Sequence, residues 1–261
     1  MAPFNVLIWN VRGLNDKVRR DVVNQVIQSC CPALVCLQET KLSYISERDI
    51  LSLLGQDFNS FCYLPAQETR GGTLVAWRNG VFTFECYRVD RHLVSVELQS
   101  DGEQAWWFTG IYGPHLDAEK PGFLDELRDV RNHCSGPWML AANFNMIYNS
   151  EDKNNDNVNR VMMGRFCRFV NDLELKEIPL LGWRYTWSIE RESPTLVKLD
   201  RVLCTGDWED IFPDCVLQSY ATEMSDHCPL VLGLKDGVLG KRWFHFESFW
   251  TWLLGFFRNS E

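Results

Sequence analysis

A chain of 261 residues with 46% apolar and 23% charged side chains can bury a sizeable core and is too apolar for a disordered segment. Its formal net charge of −9 argues against a general nucleic-acid binder, because non-specific affinity comes from phosphate neutralisation by Lys and Arg. No window approaches the roughly 18 uninterrupted apolar residues of a membrane span, and the run Val6 to Trp9 is too short, and lacks the basic flank, for a signal peptide. A soluble intracellular protein, nuclear or cytoplasmic, is expected, with any DNA contact confined to a local patch. Ten scattered cysteines without a CxxC pair read as free thiols; Cys36, Cys86 and Cys204 fall in apolar, strand-like runs and are expected to be buried.

In chain order, Phe4 to Asn10 reads as a strand, and Asp16 to Cys30 as a helix with apolar residues at Val18, Val22, Val23, Val26 and Ile27. Ala33 to Leu37 reads as a second strand. The runs GTLVAW, VFTFECYRV, HLVSVEL and AWWFTGIY between Gly72 and Tyr112 read as one antiparallel meander. A helix follows near Ala118 to His133, then a strand at Trp138 to Ala142, a polar loop from Asn149 to Asn159 and a helix around Met162 to Leu173. Later strands are expected at Tyr185 to Ser188, Lys198 to Cys204, Val216 to Tyr220 and Pro229 to Leu234. The second half thus repeats the first, and the pattern predicts one α/β domain over 1–236, with two mixed sheets packed face to face and flanked by helices. The strongly aromatic stretch 237–261 needs a cover. It packs back on the domain, forms a contact surface for a protein partner, or is the remnant of a linker toward a missing downstream domain.

The chemistry sits at strand ends: Asn10 after VLIW, Glu39 after LVCLQ, Asn143 and Asn145 after WMLAA, Asp200 in VKLDRVL, and Asp226-His227 before PLVLGL. One acid after a strand is ordinarily a cap or turn residue. Seven such residues, only Asn, Asp, Glu and His, are the types that suit a hard cation and a phosphate.

Six words in order, WNVRGLN (Trp9 to Asn15), QET (Gln38 to Thr40), YGPH (Tyr112 to His115), NFN (Asn143 to Asn145), KLDRVL (Lys198 to Leu203) and SDHCPL (Ser225 to Leu230), resemble the endonuclease/exonuclease/phosphatase superfamily. That superfamily includes apurinic endonucleases and deoxyribonuclease I. YTWS at Tyr185 to Ser188 and FHFESFW near the end look like the endonuclease domain of plant LINE-type retrotransposons, and an isolated or truncated endonuclease unit is expected. The resemblance implies a four-layer, DNase I-like α/β-sandwich, a Mg²⁺ or Mn²⁺ ion, no small-molecule cofactor, and DNA as the partner. It implies Glu39 as main metal ligand with Asn10 and Asp200, Asp226 orienting a catalytic His227, Tyr112 and Asn145 on the phosphate, and His115 and Asn15 on the DNA. Arg12 and Gly71-Gly72 match loops of the family and read equally well as turn residues; Trp187 reads as core.

The family's Gly-Asp-Phe-Asn is Ala142-Asn143-Phe144-Asn145 here. The residue expected to activate the attacking water is an amide, which cannot take the proton. Ala142 in place of glycine fits sequence decay better than a deliberate single replacement, and a displaced loop is the alternative to a site that lacks only its aspartate. Two functions stay open, a DNA-nicking endonuclease of strongly reduced activity and a catalytically dead module binding nucleic acid or protein; a phosphatase for lipids or small phosphoesters is a more distant third.

Overall fold

A computed structural model describes residues 5–68, 70–100, 102–189, 194–220, 222 and 224–234. The 236/237 boundary and the aromatic stretch beyond it lie outside them. One mixed sheet holds β1 (Val6–Asn10), β2 (Leu34–Gln38), β3 (Ser60–Leu64), β4 (Thr73–Trp77), β10 (Leu180–Leu181), β14 (Cys215–Ser219) and β15 (Leu230–Leu234), in the order β10-β14-β15-β1-β2-β4-β3. The other holds β5 (Thr83–Val89), β6 (Leu93–Gln99), β7 (Trp106–Tyr112), β8 (Trp138–Asn143), β9 (Lys176–Glu177) and β13 (Asp200–Cys204), in the order β5-β6-β7-β8-β13-β9. A small hairpin, β11 (Trp187–Ile189) with β12 (Thr195–Val197), stands apart.

Alternation along the strands builds three cores. Val6 and Ile8 of β1, Leu34 and Cys36 of β2, and Val75 and Trp77 of β4 face Phe108 of β7, Met139 and Ala141 of β8, and Val202 of β13 between the sheets. The intervening Leu7, Trp9, Val35, Leu37 and Leu74 turn outward onto α1 (Lys17–Cys30) and α2 (Glu47–Leu54). On the far side Ile111, Trp138, Leu140 and Ala142 meet α3 (Lys120–His133) and α4 (Arg160–Asp172). Helix, sheet, sheet, helix is the expected four-layer sandwich. Because strands buried on both faces need apolar residues at every position, VLIW, LVCL and TLVAW read as continuous runs.

Besides the unexpected short strands β9, β10 and β12 and a short helix Gly206–Ile211, three details differ from the sequence-based expectation. Only β5, β6 and β7 form the meander; β4 pairs with β2 and β3 in the other sheet. TLVAW is buried on both faces, which requires a central position. Second, α2 and β3 occupy a stretch without a clear period: α2 buries only Ile50, Leu53 and Leu54, and a Ser46–Asp49 capping box sets its start. Third, Cys86 is exposed on edge strand β5, whereas Cys36 and Cys204 are buried free thiols.

Candidate active site

The inward face of each sheet ends in a row of polar residues at the same edge of the sandwich. Asn10 is the last residue of β1, paired with Gln38 at the end of β2, which pairs with Thr73 at the start of β4. In the opposite sheet Tyr112 pairs with Asn143, and Asn143 with Asp200. Each occupies the inward parity of its strand, one step beyond the apolar core, so two facing polar rows form the mouth of a cleft. Register alone brings Asn143 and Asp200 side by side across 57 positions of sequence.

His227 enters from the residue pair preceding β15. Its Nδ1 is 2.7 Å from Asp200 Oδ2, and its Nε2 is 3.4 Å from Asn143 Nδ2; all three side chains are buried. An ionised carboxylate only accepts, so Nδ1 carries the hydrogen and the Nε2 lone pair accepts from the Asn143 amide. Asn143 Oδ1 in turn accepts from the Asn145 backbone N–H at 3.0 Å. The Asn143 side chain is therefore engaged at both ends. Asp226 does not orient the imidazole, contrary to what the family resemblance implied. Its Oδ2 accepts from Arg12 Nη1 and from Trp187 Nε1, each at 3.0 Å, because the bend before β15 turns adjacent side chains in different directions. The orienting contact belongs to Asp200, a residue assigned from the sequence to the metal. Trp187 is thus a donor at the site as well as a packing residue, and the neighbouring Thr186 hydroxyl accepts from the Leu199 and Asp200 N–H groups.

Glu39 is buried and sits at φ +53 immediately after β2. Lys41 Nζ at 3.2 Å and Arg12 Nε at 3.7 Å flank its Oε1. Arg12, Lys41 and Asn145 are also left-handed, at φ +53, +56 and +52. Non-glycine residues in this region cost on the order of 1–3 kcal/mol each, and such strain collects where function fixes a loop. The loop is held by Thr40 N–H and Lys41 N–H donating to Gly72 O and Gly71 O, at 3.0 and 2.9 Å. Gly72 has φ +89, and a Cβ there would run into Thr40 Oγ1. Asn15, assigned from the sequence to DNA, donates to Lys41 O at 3.2 Å and so supports the same loop.

Asn145 Nδ2 donates to Gly113 O at 2.7 Å, while Gly113 N–H donates to Asn143 O at 2.8 Å. A Cβ on Gly113 would lie 2.7 Å from Phe144 O. That contact explains the glycine in YGPH. Tyr112 Oη is 2.7 Å from His115 Nε2. Burial, followed by the Glu39 charge, pushes the Tyr112 phenol above its ordinary range, so it stays a hydrogen-bond donor. Desolvation lowers the pKa of His115, against an upward pull from Glu39. Beside these residues a cleft of about 480 Å³ runs along His115, Lys120, Asn145, Lys153 and Trp187. A second groove, of about 400 Å³ among Phe61, Trp77, Phe84 and Tyr87, shares no residue with it.

Among the described residues no group of three or more His, Cys, Asp and Glu is gathered closely enough to hold a metal by itself. Yet Glu39 Oε2, Asp226 Oδ1 and Asp200 Oδ1 are buried without hydrogen bonds, and Asn10 Nδ2 and Gln38 Oε1 share that state. Hard, unsatisfied carboxylate oxygens fit a divalent cation that keeps most of its shell as water and ligand oxygen. Of the ten sequence-assigned residues, His115 and Asn145 line this cleft; Asp200, His227, Asn143 and Asn145 are joined by hydrogen bonds, Tyr112 meets His115, and Arg12 links Asp226, Glu39 and Asn10, whereas Asn15 supports the loop after Glu39. Arg12, Lys41, Thr186 and Gln38 were not assigned there, although Arg12 and Gln38 lie inside the same motifs.

No curated protein matches the sequence. In fold, the chain is similar to the endonuclease domain of TRAS1, a telomere-specific non-LTR retrotransposon (13% identity, TM-score 0.69, covering 89% of this chain and 98% of that one). It is similar to an AP endonuclease from Leishmania major (16%, 0.68, 89% and 87%) and to D. rerio TDP2 complexed with a single-strand DNA product (13%, 0.63, 89% and 99%). At such identities the likeness concerns the fold alone. The sequence profile that matches, over residues 7–227, is that of the Endonuclease/Exonuclease/phosphatase family, and the chain belongs to that family.

Proposed function

We propose that the chain is a magnesium-dependent phosphodiesterase domain acting on DNA, of the kind carried by LINE retrotransposons, with its catalysis strongly reduced by Asn143. The observations that support this best are the Asp200–His227–Asn143 relay and the buried, unsatisfied Glu39 carboxylate. Glu39 and Asn10 would hold a Mg²⁺ or Mn²⁺ ion, with Asp226, which shares the Arg12 guanidinium with Glu39, as a further carboxylate. Bound there, the ion would offset charge developing on a phosphate oxygen. Asp200 fixes the tautomer and orientation of His227, which faces the phosphate. Tyr112, held protonated, donates to a phosphate oxygen, and Asn145 supports the YGPH loop from below. Asn143 can position a water but cannot accept its proton. In a serine protease an Asp-to-Asn change at a supporting position costs about 10⁴ in rate, roughly 5.5 kcal/mol, and a loss of that order is expected here.

One observation favours a second reading, a domain that binds DNA without cutting it: the Asn143 amide is satisfied on both sides within the relay. Relaxation of supercoiled plasmid with Mg²⁺ separates the two. Slow nicking that disappears with EDTA and in Glu39→Gln and His227→Ala is expected. DNA retention with no nicking supports the binding module, and nicking that is unchanged in Glu39→Gln overturns the assignment of the site.

A further inference from the structure

Two carboxylates of the cleft are already bridged by a cation that belongs to the chain. Arg12 places Nη1 3.0 Å from Asp226 Oδ2 and Nε 3.7 Å from Glu39 Oε1. The side chain is not a loose surface group whose contacts are incidental. Its backbone is held left-handed, at φ +53, with Asn10 Oδ1 accepting from Arg12 N–H at 3.2 Å and the Arg19 guanidinium donating to Arg12 O at 3.3 Å. So the residue proposed to help hold a divalent ion also aims the guanidinium. Lys41 adds a second positive charge on the same Glu39 oxygen.

The charges decide what this means. Glu39, Asp200 and Asp226 contribute three negative charges, and Arg12 and Lys41 two positive ones; Asn143 contributes none. A guanidinium cannot shed its proton to make room, unlike an ammonium or imidazolium. An incoming dication meets this fixed charge at contact distance in a partly desolvated cleft, where repulsion is strong. An ion at the free Glu39 Oε2 still meets the Arg12 charge, so it binds more tightly once the arginine moves off. Nearly half of the Arg12 side chain is exposed, with relative accessibility 40%, so it has somewhere to go. A phosphate group in the cleft is the natural acceptor for the released fork.

We propose that Arg12 is a tethered cation that competes with the divalent ion for Glu39 and Asp226, and that a DNA phosphate relieves the competition by drawing the guanidinium away. The proposal rests on the reading of Glu39 as a metal ligand. It makes metal and DNA binding mutually reinforcing in this chain, and by linkage each tightens the other by the same factor.

Mn²⁺ titration, followed by calorimetry and by the Mn²⁺ electron paramagnetic resonance signal, tests this on the full chain with and without a short DNA duplex. Arg12→Met is expected to tighten Mn²⁺ about tenfold without DNA. The duplex should tighten Mn²⁺ in the wild type and have a much smaller effect in Arg12→Met. Arg12→Gln, of similar length and without charge, should match Arg12→Met, and circular dichroism melts confirm that both are folded. Glu39→Gln should abolish binding in either background. If Glu39→Gln abolishes binding while Arg12→Met and Arg12→Gln leave affinity equal to or weaker than wild type, the competition is refuted and the metal site stands. If Glu39→Gln leaves Mn²⁺ binding intact, or no form binds Mn²⁺, the site reading on which the proposal rests fails first.

Discussion

His227 shows how far a sequence reaches at the scale of one residue. The family resemblance names Asp226 as its partner, whereas the packing of the two sheets delivers Asp200 from 27 positions away. Stability measurements distinguish them. Asp200→Ala leaves a buried imidazole N–H without an acceptor and should cost about 1–3 kcal/mol in urea unfolding. Asp226→Ala removes a partly exposed ion pair and the acceptor of the Trp187 indole N–H, and should cost less than Asp200→Ala, about 1 kcal/mol. A larger loss for Asp226 would contradict the assignment. His115 gives a second check, because desolvation, its largest perturbation, holds its pKa below 6.5. Its folded-state pKa is depressed, so its contribution to stability is present above the unfolded value and is lost as pH falls through the folded one. An NMR titration of the His115 ring should show a midpoint below 6.5; a midpoint at or above it would mean that the Tyr112–His115 contact does not protect the neutral ring. That the site types were legible, Asn, Asp, Glu and His at strand ends, follows from the parity of buried strands. Their partners were not, because hydrogen bonds at 2.7–3.4 Å depend on register and on bends that no local pattern encodes.

At the scale of elements, the legible parts were those with strong periods: β1, α1, β2, α3, β8, α4 and β15 all lie within a few residues of expectation. The unread α2 and β3 are short and weakly patterned, and the misplaced β4 required knowing which sheet could cover both its faces. Displacement by Ala142 of the loop that carries Asn143 was the alternative to a site that lacks only its aspartate. The Ala142 side chain instead packs with the α3 and α4 face, and the ladder runs unbroken through Ala142 and Asn143 to both neighbouring strands. Gly113 is the backbone position that does constrain this loop. Gly113→Ala should destabilise by about 1–3 kcal/mol, as overpacking against rigid backbone does. Gly122→Ala, within α3 and with open space around it, should stabilise by about 0.5–1 kcal/mol. Thermal and urea melts of the two variants check both signs; a neutral Gly113→Ala would show that the loop can shift freely.

For the whole molecule, a net charge of −9 puts the weight of DNA attraction on local cations, among the described residues Arg12 and Lys41 beside Glu39 and Lys120 and Lys153 along the cleft. If these make the phosphate contacts, the log–log salt dependence of duplex binding should have a slope no steeper than about −4, given about −0.9 per phosphate neutralised. A much steeper slope would require a basic surface elsewhere. The central claim is that the cleft lacks one catalytic group, the carboxylate at position 143, on a backbone that is already in place. Single-turnover plasmid nicking with Mg²⁺, comparing the wild type with Asn143→Asp, tests it most directly. We expect Asn143→Asp to be faster by at least about two orders of magnitude, since general-base assistance contributes roughly 10² to 10⁴. An Asn143→Asp protein that is folded, binds DNA and nicks no faster than the wild type would contradict it.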